Sequence, residues 1–435
     1  MGIFQERQTL PVVLHQEKRR NNNMTKSMKT ILALFTASLI SCFLFSSLSF
    51  GQEIPKPGEI IDKSNYKKYA HLIPEELYPG FENGWGGFWK PISLKIVPTK
   101  PASQPKRFLA FSEKNRGKYA LDKDGFIIGG YDYEGLPFPG VRPDDKDFAT
   151  KFMWNFTYRY MRDDWIGPMT AFSKRKGEPI TFNISDEIIV EFVNRMYDDP
   201  KPNMKDPIGL QYAEWIRYSV PVNVRNFQML IYRYLDPRKS DDTYLYLPTL
   251  RRVLRGEAGQ RSTPIQGQNQ ALDDFQGFDG RIQDFTYKYI REQKLLGVAD
   301  SKLNVGLVRK QTAQAGGVLF FDDDNWEVRD VYVIDIIPKN ATYPQSRKRI
   351  YIDKENPTIY HAAVWDRAGN PWKFWSFEFA KRPCADGDTA SSIEHNFGLD
   401  VQFGYGQTTT MDYKLNGHGF KYNDIMPSAM SKRGE

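Results

Sequence analysis

The chain has 435 residues, a formal net charge of +7, 40% hydrophobic and 14% aromatic residues, and two cysteines. That apolar content excludes a long disordered chain, and the length suffices for an ordinary core without disulfides. The basic excess is no argument for nucleic acid: residues 1–51 hold six Lys or Arg against two Asp or Glu, and without them the net charge falls to +3, with no long basic block.

In chain order, the first element is an apolar run at 31–45, preceded by Lys26 and Lys29 and followed by Ser49 and Gly51. This is the pattern of a secretory signal peptide cleaved after Gly51. Residues before Met24 fit no ordinary signal n-region, so Met24 and Met28 are alternative starts. Two other readings compete for the run. Leu39-Ile-Ser-Cys42 resembles a lipobox that would leave Cys42 lipidated, and the run is barely the ~20 residues that a membrane anchor needs. With Cys42 removed or lipidated, no intramolecular disulfide is possible, and Cys384 beside Pro383 reads as an inert thiol. The Pro-rich stretch 52–58 reads as a linker, and 59–435 as a single folded domain.

A helix is expected over 185–197, with Ser185 as N-cap, Asp186 and Glu187 in the first turn, and Ile188, Ile189, Phe192 and Met196 on one face. A meander follows: strands at 227–235 and 243–247 flank a polar turn at 236–242, with Tyr244 and Tyr246 on one strand face. Beyond it come Arg251, Arg252 and Arg255, a Gly- and Gln-rich loop, the acidic segment 273–280 and a strand at 281–290. The acidic run Asp322-Asp-Asp-Asn325 after Gly316 and Gly317 lacks the spacing of a calcium loop and reads as a solvated turn. The last third is the clearest, with strands at 327–337, 348–353, 358–365 and 371–380 and turns at 354–357 and 366–370 rich in Asn, Pro, Asp and Gly. Two meanders joined by a loop imply one large sheet, with two small β domains as the alternative.

Five segments stand out as motifs: Tyr244-Leu-Tyr-Leu-Pro-Thr-Leu-Arg-Arg-Val-Leu-Arg255, Asp273-Asp-Phe-Gln-Gly-Phe-Asp-Gly280, Gly129-Gly-Tyr-Asp-Tyr-Glu-Gly-Leu-Pro-Phe-Pro139, Arg349-Ile-Tyr-Ile-Asp353 and Trp365-Asp-Arg-Ala-Gly-Asn-Pro-Trp372. As a set they resemble the domain of unknown function 1329 family of outer-membrane lipoprotein-sorting-like proteins, similar in fold to the carriers LolA and LolB. The resemblance implies a mainly β (α+β) fold: a strongly curved antiparallel sheet or half barrel, with helices plugging the concave side around an apolar cavity. It implies transport or envelope work in the periplasm, with no agreed activity.

An aromatic-lined sheet face suits an apolar guest, so Tyr244, Tyr246, Trp365, Trp375, Phe377 and Phe379 are the candidate lining residues. Filling the core is the competing role for each of them. Arg251 and Arg252 are the candidates for a lipid headgroup or acidic surface, and pairing with Asp273, Asp274 and Asp279 is the alternative. Asp273 and Asp274, adjacent on a strand, would point to opposite faces and so not act as a catalytic pair. Beyond the leader, His71, His361, His395 and His418 form no zinc pattern, and no nucleophile elbow or dinucleotide fingerprint occurs. The expectation is a monomeric periplasmic carrier of a lipid or other hydrophobic ligand. It has no catalytic residue, cofactor, metal or nucleic-acid partner, and a membrane exporter or outer-membrane protein is a further possible partner. Lipid anchoring at Cys42, an exporter-docking accessory role and an envelope hydrolase are the alternatives.

Overall fold

The computed structural model describes residues 53–256, 261–264, 268–315 and 320–434. The expected leader with Cys42, the Gly316-Gly317 pair and part of the Gly- and Gln-rich loop lie outside the described residues. Ile54–Glu435 form a compact unit.

Two short ribbons precede the main sheet: β1 (Ile60–Ile61) pairs with β2 (Leu94–Lys95), and β3 (Ala120–Leu121) with β4 (Ile127–Ile128). The first large meander comprises β5 (Asp164–Arg175), β6 (Thr181–Glu191), β7 (Leu210–Val220), β8 (Gln228–Tyr234), β9 (Asp242–Leu247) and β10 (Arg252–Gly256). The second comprises β11 (Phe285–Gly297), β12 (Glu327–Pro338), β13 (Gln345–Asp353), β14 (Ile359–Asp366), β15 (Pro371–Pro383), β16 (Thr389–Asp400) and β17 (Tyr405–Met411), after which β18 (Lys414–Leu415) returns to β5. Because β17 pairs antiparallel with β5, the two meanders join into one 14-stranded sheet whose free edges are β10 and β11. Successive strands β10 and β11 thus stand at opposite ends of the sheet.

The strands expected at 327–337, 348–353, 358–365 and 371–380 are β12 to β15, and those at 227–235 and 243–247 are β8 and β9. Two expectations need correction. Residues 185–197 form no helix: 181–191 is β6, paired on both sides, and 192–204 is irregular. Ile189 and Val190 are both buried although they point to opposite sheet faces, so the period-2 signal disappears and the β-branched run alone marks the strand. The strand expected at 281–290 begins only at Phe285, after a 3-10 turn over Ile282–Asp284, and runs to Gly297.

The helices are α1 (Tyr78–Gly87), α2 (Lys106–Lys114), α3 (Phe148–Thr157), α4 (Val305–Gln314) and α5 (Pro427–Gly434). α3 is apolar nearly all round, with Phe148, Phe152, Met153, Trp154 and Phe156 buried, the composition of a helix enclosed by protein. Phe148 and Phe152 meet the Tyr332 ring edge-on at 4.8 and 4.9 Å, in the favourable T-shaped arrangement. The core around α3 takes Trp165, Ile189 and Tyr212 from β5 to β7 and Val331, Val333, Ile350 and Trp375 from β12, β13 and β15. β7 and β12 are eight strand positions apart, roughly 40 Å in a flat sheet, so the sheet must curl around this face for its two halves to share a core. The sheet is accordingly curved and not closed, with α3 plugging the concave side.

The other face is covered in two places. Residues 61–96, α4, Phe320 and Trp326 pack on Leu296, Phe374, Phe397 and Leu399, while Ile425 and Met430 of the C-terminal segment pack on Trp215, Leu230, Tyr232 and Tyr246. Each fully buried Leu or Phe here contributes about 1.5–3 kcal/mol. The run 322–325 is not the solvated turn expected: Asp324 accepts hydrogen bonds from the Lys302 amide at 2.9 Å and the Ser301 hydroxyl, and Asp322 lies buried 3.2 Å from Lys90.

Between β10 and β11, residues 268–284 cross the concave face as a strap. Its 3-10 turn, Leu272–Gly277, places Asp273 and Asp274 off any strand, contrary to expectation. Asp274 Oδ1 lies 2.8 Å from Lys348 Nζ and its Oδ2 3.6 Å from Lys373 Nζ, tying the strap to β13 and β15. Burial raises the Asp274 pKa, but the two ammonium groups outweigh it and hold the carboxylate down at about 2. Gly277 lets the strap touch β14: its φ is +89°, and a Cβ there would stand 2.7 Å from Ile359 Cγ2. On the other half of the sheet, Arg233 of β8 donates to the Asp279 carbonyl at 2.9 Å, and the Tyr212 hydroxyl of β7 lies 3.0 Å from Asp279 Oδ2.

Candidate functional site

Between the strap, the end of α3 and strands β6 to β8 lies a cavity of about 80 Å³, lined by Arg159, Arg162, Glu191, Tyr212, Glu214 and Gln276, with Phe156, Ile189 and Phe278 among its apolar walls. It has room for several waters or a small polar group. Its carboxylates come from strand alternation. In β6, residues 187, 189 and 191 point inward, and the register sets Ile189 against Glu214 and Glu191 against Tyr212, so the inward side chains of β6 and β7 form one acidic patch.

The arginines come from the link between α3 and β5. That link is fixed by Asp163, whose carboxylate accepts from the backbone amides of Met196, Tyr197 and Asp198, each at 2.6 Å. Arg162 stacks 3.7 Å above the Trp165 ring and sets Nη2 3.1 Å from Glu191 Oε1, while its buried Nε has no partner among the described residues. Arg159 lies 3.8 Å over Phe156 and donates to Gln276 Oε1, and its Nε is likewise unpartnered. Glu187 accepts a hydrogen bond from the Tyr413 hydroxyl. Glu214 is 4% exposed, and no hydrogen bond to its carboxyl is made among the described residues.

Burial sets the ionisation of this cluster. It pushes the Glu214 carboxyl up to about 8, helped by the Glu187 charge. It raises Glu191 to about 7 against the pull of Arg162, and Glu187 to about 7 against the Tyr413 hydrogen bond. Arg159 is brought down to about 9 by burial and by neighbouring Arg162. Near neutral pH one small space therefore offers guanidinium donors, carboxylate acceptors and protonated carboxyl donors together. Behind it, Arg233 and Arg261 share Asp241, Asp273 and Asp279 in a buried ion network that anchors the strap.

The residues singled out from sequence do not gather at this cavity. Trp375, Phe377 and Phe379 lie on the concave side but are 0–1% exposed within the core. Tyr246 and the half-buried Tyr244 lie on the opposite face, Tyr246 in the core that the C-terminal segment covers and Tyr244 against it. Trp365 is half-buried under Arg347, whose guanidinium sits 3.8 Å above its ring. Arg251 and Arg252 are exposed, and neither pairs with Asp273, Asp274 or Asp279. Arg255 pairs instead with Asp242, and the strap aspartates are held by Arg261, Arg233, Lys348 and Lys373. Among the described residues no group of His, Cys, Asp and Glu is placed to hold a metal ion.

Sequence reasoning missed Arg159, Arg162, Glu187, Glu191 and Glu214. A signal existed: Glu187, Glu191 and Glu214 each sit within apolar, β-branched or aromatic runs where a strand would bury them. Reading 185–197 as a helix placed Glu187 at a solvated first turn and hid it.

The model of a family described as Protein of unknown function (DUF1329) matches residues 60–423. Among solved structures the chain is similar to a domain described as an outer membrane lipoprotein-sorting protein from Vibrio parahaemolyticus, at 17% identity and TM-score 0.44, covering 62% of this chain and 91% of that one. It is similar to a DUF1329 family protein from Desulfovibrio piger, at 14% identity and TM-score 0.45, with coverage of 64% and 96%. A LolA superfamily protein from Nitrosomonas europaea follows at 11% identity and TM-score 0.38, with coverage of 62% and 92%. No curated protein matches the chain.

Proposed function

Because the chain belongs to the DUF1329 family of proteins of unknown function, we propose a function from its own geometry: a monomeric, non-enzymatic carrier of the periplasm. It takes up a hydrophobic molecule with a polar head and passes it between envelope components. The observation that carries this reading is the strap-covered cavity on the concave face, where the Arg159 and Arg162 Nε atoms have no hydrogen-bond partner among the described residues and lie beside the buried Glu214 carboxyl and apolar walls. Buried polar groups left unpaired are costly, so a guest that pairs them is bound with selectivity for its head group. At about 80 Å³ the cavity holds only the head, and the apolar part follows when α3 or the strap shifts. Export to the periplasm rests on the leader pattern at 26–51.

Native mass spectrometry of the protein purified from its host, followed by solvent extraction, tests the reading. A stoichiometric amphiphile whose occupancy falls about tenfold or more in Arg162→Ala supports it. A protein that arrives empty and takes up no added lipid or fatty acid overturns it in favour of an accessory that docks on an exporter.

One observation favours a second reading. Two carboxyls raised to about 7 and about 8, Glu191 and Glu214, line one cavity, the condition for general acid and base catalysis on a bound ester or glycoside. Turnover of such a substrate by the wild type, lost in both Glu191→Gln and Glu214→Gln, would establish it over the carrier.

A further inference from the structure

Two neighbouring hairpins at one end of the sheet expose apolar side chains that the core does not use. The β5–β6 turn presents Ile180 (39% exposed) and Phe182 (47%), and the β16–β17 turn presents Val401 (52%) and Phe403 (65%). The turns are joined: the Lys176 amide donates to the Gly404 carbonyl at 3.1 Å, and Arg175 stands opposite Tyr405 across the β5–β17 ladder. Phe182 continues into Phe172, ring to ring at 6.3 Å, so the apolar side chains are not scattered singly.

The same tip carries Lys174, Arg175 and Lys176 in succession. Arg175 is 3.6 Å from Glu178, the one acidic residue between 174 and 182. Lys176 Nζ reaches only the Gly86 carbonyl, at 3.5 Å, and Lys174 forms no ion pair among the described residues. On the second hairpin Asp400 is buried and already accepts from the Trp372 indole and the Gln402 and Phe403 amides, while Asp366, from the β14–β15 turn, is held by Gln402 and Asn370. The tip therefore shows water a net positive charge around four exposed apolar groups.

We infer that this double-hairpin tip docks on the surface of an anionic lipid bilayer, with Phe403, Val401, Phe182 and Ile180 entering the headgroup region and Lys174, Arg175 and Lys176 meeting lipid phosphates. Long basic side chains keep their charges at the headgroup level while their stems follow the apolar residues inward. The charge complementarity selects an anionic membrane over a second copy of the chain, whose identical basic run would repel it. The inference stands on its own and does not need the cavity to hold a ligand.

The test uses protein purified in the form its host produces, with vesicles containing phosphatidylglycerol or made of phosphatidylcholine alone. An environment-sensitive fluorophore is placed at Phe403→Cys in a Cys384→Ser background. The expected result is a blue shift on phosphatidylglycerol vesicles only, with vesicle partitioning lowered about fivefold for each charge removed in Lys174→Gln and Lys176→Gln. Phe403 and Lys176 are exposed and Lys174 is half-buried, and an unchanged circular-dichroism melt checks that the variants fold. A fluorophore that stays in water on both vesicle types overturns the inference. So does a response restricted to envelope membranes that is abolished by protease treatment of those membranes, which would assign the tip to a protein partner. Equal binding to neutral vesicles also overturns it.

Discussion

Gly398 of β16 stands opposite Trp375 of β15, and the indole lies flat over it: a Cβ at Gly398 would come within 2.0 Å of Trp375 Cζ3. The missing side chain gives the ring its place on the concave face, where Trp375 then stacks on Phe377 at 6.3 Å. Trp375 is thus a structural residue of the β15–β16 ladder whatever else it does.

Gly398→Ala must push the ring out of a close-packed core and should cost on the order of 1–3 kcal/mol. Urea denaturation reads this directly. In a Trp375→Phe background the same substitution should cost less, because the smaller ring leaves room for a methyl group. Equal costs in both backgrounds would show that the ring does not set the constraint.

Asp274 is the one carboxylate among the described residues that pairs with both Lys348 and Lys373 beneath the strap. Asp274→Ala leaves two buried ammonium groups uncompensated, and about 3–5 kcal/mol should be lost. The accompanying change should be faster hydrogen exchange through 268–284, since the strap loses its tie to β13 and β15. Exchange that stays as slow as in the wild type would place the anchor elsewhere.

Glu214 sets a pH dependence of defined sign. Its folded pKa, about 8, lies above the ordinary carboxyl value of 4.5, so the folded state binds the proton more tightly. Stability associated with this group is complete below about pH 4.5 and is lost as pH rises toward 8. Glu214→Gln should remove that loss, gaining on the order of 2 kcal/mol over the wild type at about pH 8.5 and much less at about pH 5. Parallel stability curves for the two proteins between those limits would refute the assignment.

His361 works in the opposite direction. It is buried between Trp326 and Phe374, with ring centroids 6.1 and 5.7 Å away, and burial lowers its pKa from 6.5 to about 4. His395, buried beside Thr410, is lowered to about 4 in the same way. The unfolded chain takes up these protons first, so stability is full above about pH 6.5 and falls as pH drops toward 4, by up to about 3 kcal/mol per histidine. His361→Gln lowers stability at every pH but should flatten the slope in that window. A slope equal to that of the wild type would exclude His361 as its source.

The second meander was legible because its strands are β-branched or aromatic and its turns hold Asn-Pro and Gly-Asn, signals that act within a few residues. β6 was not, since its two faces are both buried and its Ile-Ile-Val run lies close to Phe192 and Met196 at helical spacing. The aromatic candidates Trp375, Phe377, Phe379 and Tyr246 were identified as strand residues with one apolar face, but alternation cannot say which of two covered faces a side chain meets.

By itself, the sequence determined the mainly β class, the positions of β8, β9 and β12 to β15, and the family, because turn chemistry, β-branched runs and motifs are local. Only the tertiary structure decided that β17 closes onto β5, that the β10–β11 connection becomes a strap, and that Arg162, Glu191 and Glu214 share a cavity. Those pairings join residues far apart in the chain through sheet curvature and register, and a one-residue slip in β6 or β7 would have turned the same carboxylates to the other face.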